Sequence, residues 1–487
     1  MTITIVGLGP GNGRTLTLQA WQTLTMAGTV YLRTSRHPAV DDLPADLQRV
    51  SFDAVYDTAE IFNEVYDTIV GELLRLGRES DVCYAVPGHP FVGESTVTRL
   101  VARAEEAGIS LAFVEGLSFI EPMLTALHLD ALDGVQIFDA IELTTYHYPP
   151  LNPDVPLLLG QVYSRMLASE LKEVLTAVYP PEHPVQLIHG AGTDDEQIEA
   201  VPLYAIDHSP HIDHLTSLHI PALPYKASLS ALAETVAVLR SPNGCPWDQE
   251  QTPQSMRGDF LEEATEVLDA LDADDVDNLR EELGDMLYHL VMQAQMAAEV
   301  EDFTMSDIIA GIEAKLKRRH PHVWGDWEVA DTAEVLRNWE WLKQQEKEAV
   351  PASLLDGIPV SLPALARSQK IQGRVSRIGF DWPDITGVWG KLDEEIAELK
   401  AAPSLEERSA ELGDVLFVLV NLARWLDVDA ETALREANGR FTQRFQKIEQ
   451  LAAQRSIKLE EIDFAALDLL WEEAKELLAN GEPSAKV

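Results

Sequence analysis

The chain contains little cysteine, little positive charge and no long apolar run. Its 487 residues include two cysteines, Cys83 and Cys245, which excludes a disulfide framework and fits a reducing compartment. No apolar stretch approaches the roughly 20 residues that a membrane span needs, so we expect no membrane partner. The first residues show no basic segment ahead of an apolar stretch, as a secretory signal would, and we expect a cytoplasmic protein.

Positive charge is scarce in absolute terms as well. The chain has 37 Lys and Arg residues against 81 Asp and Glu residues, for a formal net charge of −44. So acidic a chain repels the phosphate backbone of nucleic acids, and we expect no nucleic-acid partner. Any phosphate-bearing ligand must therefore be held by a local metal ion or a local cluster of basic side chains.

Short β-branched runs alternate with helical patterns in residues 1–224. This alternation predicts an α/β domain with a largely parallel sheet, and the glycines and prolines collect at strand ends, where such sheets carry ligand loops. Strands are predicted at 3–9, 81–90, 109–116, 156–162 and 185–193, and helices at 15–27 and 59–77.

Beyond this region the apolar residues recur at helical spacing. A proline-rich loop at 241–255, a connection at 270–278 and a linker at 350–365 interrupt the helices. We predict one all-α domain at 228–348 and a second at 360–480. The predicted fold is therefore multidomain, an α/β domain followed by two helical bundles.

The two helical domains share an acidic signature, in which a Glu-Glu-x-x-Glu segment is followed by Glu-Leu-Gly-Asp. Carboxylates three residues apart share a helix face, and four of them from neighbouring helices would repel one another without a cation between them. Oxygen ligands suit Mg²⁺ or Mn²⁺, which commonly accompany a phosphate chain. The predicted metal ligands are Glu263, Glu266, Glu282 and Asp285 in the first copy, and Glu395, Glu398, Glu411 and Asp414 in the second.

A solvated charged helix face is the alternative interpretation of these segments. Two observations favour the metal site. Long apolar residues directly follow the carboxylates, as in EELGDMLYHLV (281–291), which predicts a mostly buried helix. Gly284 and Gly413 recur before the Asp, and each costs roughly 1 kcal/mol in a helix relative to Ala. Such a cost predicts close packing against a neighbouring helix at both glycines.

Each helical domain also carries two basic residues four positions apart. These are Lys315 and Arg319 in the first copy, and Arg440 and Arg444 in the second. Surface ion pairing in an acidic chain is the alternative interpretation. The equal spacing favours a clamp for phosphates that the metal does not hold.

The helical half resembles tandem MazG domains, a family of all-α nucleoside triphosphate pyrophosphohydrolases. The resemblance implies a homodimer or an intramolecular pairing of the two copies. It also implies hydrolysis mainly in the C-terminal copy, and nucleotide contacts from Lys391, Arg440, Arg444 and Trp471. Gln443 stands where relatives often carry Arg. The motifs that carry the resemblance are GCPWDQEQT, LEEATEVLDAL, EELGDMLYHLV and KLKRRHPHVW in the first copy, and KIQGR, GFDW, EEIAELK, ELGDVLFVLVNLARW and ANGRFTQRFQKIE in the second.

This family's reaction yields a nucleoside monophosphate and pyrophosphate, and implies a role in nucleotide-pool housekeeping. Water bound to the metal has a lowered pKa, and a carboxylate can take its proton before attack at the α-phosphorus. Glu394 and Glu262, which lead the two Glu-Glu pairs, are the candidate bases. The predicted catalytic residues are Glu394, Glu395, Glu398, Glu411 and Asp414.

Three glycine motifs mark the α/β half, GLGPG (7–11), VPGHPFVGEST (86–96) and VEGLSFIEPML (114–124). The first is not a dinucleotide fingerprint, because Asn12 takes the last glycine position, nor a P-loop. Together the motifs resemble tetrapyrrole (corrin/porphyrin) methylases, which bind S-adenosylmethionine between two α/β lobes. Gly-His-Pro replaces the Gly-Asp-Pro typical of that family. The resemblance implies cofactor contacts from Gly7, Gly9, Pro10, Gly88, His89 and Ser118.

The whole chain resembles fusion proteins of the YabN type, in which a methylase-like domain precedes MazG domains. We therefore favour Mg²⁺-dependent hydrolysis of nucleoside triphosphates. Two alternatives stay open: a methyltransferase with accessory MazG domains, and a regulator that senses nucleotides.

Overall fold

The computed structural model describes residues 1–56, 62–345 and 353–479. The chain divides into two compact units. One comprises Met1–Arg257 with Leu287–Asp302, and the other comprises Gly258–Met286 with Phe303–Val487. Among the described residues, no helix combines the length and the apolar character needed to cross a membrane.

Two five-stranded sheets form the α/β region. The strands are β1 Thr2–Gly7, β2 Thr29–Leu32, β3 Gln48–Ser51, β4 Val82–Val86, β5 Ser110–Val114, β6 Gln136–Asp139, β7 Leu157–Gly160, β8 Pro184–His189, β9 Gln197–Pro202 and β10 Thr216–Ile220. The first sheet has the order β3-β2-β4-β1-β5 with all neighbours parallel. The second has the order β6-β7-β10-β8-β9 and is mixed.

Helices alternate with these strands and then take over the chain. The α/β region contains α1 Leu18–Met26, α2 Pro38–Asp41, α3 Asp53–Tyr56, α4 Phe62–Gly77, α5 Ser95–Ala104, α6 Ile120–Leu127, α7 Ala140–Leu143 and α8 Arg165–Leu175. The helical half contains α9 Leu229–Arg240, α10 Pro246–Glu250, α11 Arg257–Asp272, α12 Val276–Glu299, α13 Met305–Arg319, α14 Pro321–Trp324, α15 Thr332–Gln345, α16 Ala364–Ser376, α17 Ile385–Ala401, α18 Leu405–Trp425, α19 Ala430–Gln454 and α20 Phe464–Ala479.

The central strand β4 of the first sheet is buried on both faces, as the middle of a parallel sheet covered by helices must be. Successive residues of a strand point to opposite faces. Thus Ile5 and Tyr84 join one apolar cluster, while Val6 and Cys83 join another. This explains why β4 (VCYAV) is a continuous apolar run.

The five predicted strands are at the expected positions, but the structure contains further strands that were not predicted. All five predicted strands are present, each ending earlier than predicted because the glycines and prolines that follow form loops. The expectation of a largely parallel sheet holds for the first sheet and fails for the second. There β8 and β9 pair antiparallel, because the connection between them is too short for a parallel crossover.

A tight connection joins the two acidic helices of the second copy. Ser404 caps α18, with its hydroxyl oxygen accepting a hydrogen bond from the Glu407 amide at 3.1 Å. Val388 and Leu392 of α17 pack with Val418 of α18 in one buried cluster. The hairpin therefore fixes which faces of α17 and α18 meet.

The acidic helices are less buried than the sequence predicted. Leu290 of α12 is 48% exposed and Leu416 of α18 is 47% exposed. The predicted close packing at Gly284 and Gly413 is wrong, because a Cβ added at either position would meet no described atom within 4 Å. The α17–α18 hairpin buries one face, and Gly413 lies on the other.

Candidate metal and nucleotide site

Three carboxylates of the second copy meet where α17 faces α18. Ligand oxygens of Glu395, Glu411 and Asp414 lie within 4.8 Å of one another. Glu395 is only 5% exposed, Glu411 is half-buried and Asp414 is exposed. The helical spacing of the sequence thus brings three of the four predicted ligands together.

These carboxylates repel one another. Burial raises the pKa of Glu411, and the charges of Glu398, Glu395 and Asp414 raise it further. Glu398 therefore acts on the cluster electrostatically, although its oxygens are not among the three that meet. A divalent cation would relieve this repulsion.

Lys391 and Glu394 lie at the edge of the cluster. The ammonium nitrogen of Lys391 is 2.6 Å from Glu395 Oε1 and 2.8 Å from Glu394 Oε1. Hydrogen bonds to Glu394 and then Glu395 raise the pKa of Lys391. The lysine thus holds a positive charge between a predicted ligand and the candidate base.

The first copy forms a matching cluster between α11 and α12. Ligand oxygens of Glu263, Glu266 and Glu282 lie within 4.8 Å of one another. Burial raises the pKa of Glu282, with smaller contributions from Glu266, Glu263 and Asp285. Asp285 thus acts on this cluster without joining the three, and the candidate base Glu262 is exposed.

The two copies differ in charge four residues before the first glutamate of each cluster. Lys391 lies four residues before Glu395, and Asp259 lies four residues before Glu263. Asp259 is exposed. Asp259 was not predicted as a functional residue, because the prediction rested on what the two copies share. The signal that reveals it is the difference in charge at the corresponding position of the two acidic signatures.

The predicted phosphate contacts of the second copy lie on α19 and α20. The Arg444 guanidinium carbon is 5.4 Å from the centre of the Trp471 ring, and Phe441 lies 5.2 Å from the same ring. Arg440 pairs with Glu436 at 3.6 Å. Within the part of the chain that the structure describes, Arg444 is joined to Trp471 and Arg440 to Glu436, and neither arginine is joined to the carboxylate cluster.

The basic pair of the first copy lies beside a different aromatic residue. The Arg319 guanidinium carbon is 5.5 Å from the centre of the Trp339 ring on α15. Lys343 also approaches this ring, at 4.8 Å. Lys315 is exposed one turn before Arg319. These contacts place the pair at the junction of α13 with α15.

Three glycine loops touch through their backbones at the carboxyl ends of β1, β4 and β5. A Cβ on Gly7 would lie 2.5 Å from the Gly88 carbonyl oxygen and 2.7 Å from the Gly116 amide nitrogen. Gly9 and Gly88 exchange backbone hydrogen bonds of 3.2 and 2.9 Å. Gly9 has a φ of +75°, which favours glycine. Parallel sheets bind ligands at this edge.

The remaining residues predicted to contact the cofactor, one from each glycine motif, make different local contacts. His89 is half-buried, and its Nδ1 accepts a hydrogen bond from the Phe91 amide at 3.1 Å. The Ser118 hydroxyl donates to Glu121 and accepts from the Ile120 amide, so it stabilises the start of α6. Pro10 lies near Gly192, where an added Cβ would be 3.9 Å away.

Two family models match the chain. The model of tetrapyrrole (corrin/porphyrin) methylases matches residues 2–207. The model of the MazG nucleotide pyrophosphohydrolase domain matches residues 251–324.

Three curated proteins match at greater length. The nucleoside triphosphate pyrophosphohydrolase/pyrophosphatase MazG of Thermotoga maritima is 43% identical over 244 residues, covering 50% of this chain and 94% of that protein. The nucleoside triphosphate pyrophosphohydrolase of Escherichia coli K12 is 45% identical over 244 residues, covering 49% and 93%. YabN of Bacillus subtilis is 39% identical over 483 residues, covering 97% and 98%. The chain therefore belongs to the YabN family, which fuses a tetrapyrrole methylase-type α/β domain to MazG domains.

Proposed function

We propose that this chain hydrolyses nucleoside triphosphates to monophosphates and pyrophosphate in a Mg²⁺- or Mn²⁺-dependent reaction, mainly through its second helical copy. The convergence of Glu395, Glu411 and Asp414 beside Lys391 carries the proposal. The names of the Thermotoga maritima and Escherichia coli relatives support the same reaction. Removal of surplus triphosphates from the nucleotide pool is the role that this reaction suits.

The residues present fit a hard divalent cation. All the donors are carboxylate oxygens, and burial, followed by the repulsion of the neighbouring carboxylates, raises the pKa of Glu411. Glu395, Glu398, Glu411 and Asp414 would hold the ion. When bound, such an ion polarises a phosphate oxygen and acidifies a coordinated water.

The chain's own side chains supply the remaining steps. Glu394 accepts the proton of the attacking water, and the Lys391 ammonium lies 2.8 Å from a carboxylate oxygen of this base. Arg440 and Arg444 hold phosphate oxygens, and the Trp471 ring orients the Arg444 guanidinium. In the first copy Asp259 repels a phosphate where Lys391 would attract one, so this copy binds metal and turns over slowly.

Pyrophosphate release from a nucleotide panel tests the proposal on the full chain with Mg²⁺. We expect Glu411→Gln to lower kcat by about 100-fold or more, the usual cost of losing a group that stabilises developing charge. Glu282→Gln should leave most of the activity. Glu406→Gln, exposed on the same helix as Glu411, is the matched control. Full activity in the Glu411→Gln variant would exclude the second copy as the catalytic site.

We also propose that the α/β domain binds S-adenosylmethionine as a methyl donor. The backbone contact between the glycine loops favours this second activity, and the space beside Gly88 is open to a ligand, since a Cβ there would meet no described atom within 4 Å. Gly7, Gly9, Pro10, Gly88 and His89 would hold the cofactor. Calorimetry with S-adenosylmethionine on the full chain tests it, and an absence of binding heat at millimolar cofactor would contradict it.

We further propose a homodimer. Leu412, Leu416 and Leu419 form an exposed row at helical spacing on α18, each more than 40% exposed. Apolar rows of this kind are typical of helix–helix interfaces. Sedimentation of the full chain tests the proposal, and a monomer at micromolar concentration would contradict it.

A further inference from the structure

One ion pair joins the two copies within the second compact unit. The Arg435 side chain on α19 hydrogen-bonds to both carboxylate oxygens of Asp272, the last residue of α11. The two side chains are 28% and 32% exposed, so solvent reaches the pair only in part. The hydrogen bond with Asp272 is the largest cause of the raised pKa of Arg435, and Asp269 and Asp429 add to it. The first copy thus contributes the principal partner of this arginine.

The same end of α19 is attached at two further points. Glu431 accepts a hydrogen bond from the Ala366 amide at 3.2 Å. The Ala430 amide donates to Gln369 Oε1 at 2.9 Å. Both partners belong to α16. The beginning of α19 is therefore fixed on one side by α16 and on another by α11.

Arg435 and the two candidate phosphate contacts lie on different faces of α19. Arg444 follows Arg435 by nine residues, which is two and a half helical turns, so the two side chains point in opposite directions. Arg440 points within 40° of Arg444, because a four-residue step rotates the helix by about 400°. The Asp272 carboxylate therefore acts on these arginines through the position of the helix and not by contact.

We propose that the first copy fixes the position of α19, the helix of the second copy that carries Arg440 and Arg444, and that Asp272 is the positioning residue. This inference rests on the proposed function, since it concerns the grip of Arg440 and Arg444 on a triphosphate. On this inference α11, a helix of the first copy, supports hydrolysis at the second copy even if the first copy hydrolyses nothing. The nucleotide's phosphate chain is the ligand whose binding depends on the pair.

Steady-state hydrolysis by the full chain tests the inference through Asp272→Asn. Exposed ion pairs contribute up to about 1 kcal/mol, so we expect KM to rise by about three- to fivefold. We expect kcat and the Mn²⁺ affinity of the second copy to stay within about twofold, because the cluster of that copy lies on α17 and α18 and not on α11 or α19. Asp277→Asn is the matched control, since Asp277 is exposed and pairs with Arg280 of its own helix at 3.0 Å.

A charge exchange completes the test. Asp272→Arg should raise KM further than Asp272→Asn, and adding Arg435→Asp should restore KM toward the wild-type value. An equal KM for Asp272→Asn and Asp277→Asn in an active wild-type background would overturn this inference and leave the proposed function intact. A wild-type chain that neither binds nor hydrolyses a triphosphate would overturn both.

Discussion

The ammonium of Lys391 lies 2.6 Å from a carboxylate oxygen of Glu395, one helical turn further along α17. The lysine would therefore compete with a bound metal ion for that oxygen, and its charge would repel the ion as well. The same charge would attract a phosphate. On the proposed function, one side chain thus opposes metal binding and favours nucleotide binding at the same site.

Lys391→Gln should separate these two effects. We expect the Mn²⁺ affinity of the nucleotide-free chain to rise by about fivefold and KM for the triphosphate to rise by about as much, each corresponding to roughly 1 kcal/mol. Calorimetry and steady-state kinetics measure the two quantities. Lys400→Gln, on the last turn of the same helix, is the control and should change neither. A fall in both affinities would mean that Lys391 organises the cluster instead of competing for it.

The raised pKa of Glu411 predicts how stability depends on pH. The folded chain keeps a proton on this carboxyl group at a pH where the unfolded chain has lost it, so metal-free stability should fall as the pH rises above the ordinary value of 4.5. Bound Mn²⁺ requires ionised ligands, so its stabilising effect should grow over the same range. Melting temperatures from about pH 4 to about pH 8, with chelator and with Mn²⁺, measure both trends.

Glu411→Gln supplies the complementary measurement. We expect the variant to melt higher than wild type at neutral pH in chelator, because it removes one of the repelling charges. It should gain less than wild type from Mn²⁺. A variant that melts lower in chelator would show that Glu411 stabilises the metal-free fold.

Trp471 should act on the nucleotide through Arg444. Loss of the ring in Trp471→Ala should raise KM by about tenfold, since a cation–π contact with a partly desolvated guanidinium is worth roughly 1 kcal/mol or more. Trp471→Phe keeps a ring face and should recover most of the affinity. Nucleotide titration followed by intrinsic fluorescence of the wild type gives an independent measure. Equal KM values for the Ala variant and wild type would exclude the ring from the site.

The glycine loops predict a contrast between two Gly→Ala substitutions. Gly7→Ala should destabilise the chain by about 2 kcal/mol, because its methyl group would overlap the backbone of Gly88 and Gly116. Gly71→Ala, in open space on α4, should stabilise by about 0.5 kcal/mol or more. Urea unfolding followed by circular dichroism measures both. If Gly7→Ala is neutral, the three loops do not touch in solution.

Local patterns in the sequence were sufficient to predict that the carboxylates converge. A three-residue spacing fixes which side chains share a helix face, and the short connection before Ser404 forces α18 back onto α17. Nothing in the spacing predicted that Glu398 and Asp285 would stand outside their clusters, because that depends on the rotation of each helix against its neighbour.

Non-local pairing explains most of what the sequence did not show. β10 is completely buried, yet its segment TSLHI carries a histidine and a serine and was not predicted as a strand. His219 is accommodated there by a hydrogen bond to Gln186, and burial lowers the pKa of His219 to about 4. The exposure of Gly284 and Gly413 was likewise invisible, since it depends on which faces the rest of the chain covers.

The opposite charges at Lys391 and Asp259 would give the two proposed metal sites different affinities. The Lys391 ammonium contacts one of three carboxylates in the second copy, whereas the corresponding position of the first copy carries the exposed, negatively charged Asp259. Mn²⁺ added in limiting amounts should therefore bind the first copy before the second. In a Mn²⁺ titration, hydrolysis should begin only after the first copy is occupied. The first copy would then set a threshold of metal supply below which the chain leaves triphosphates untouched.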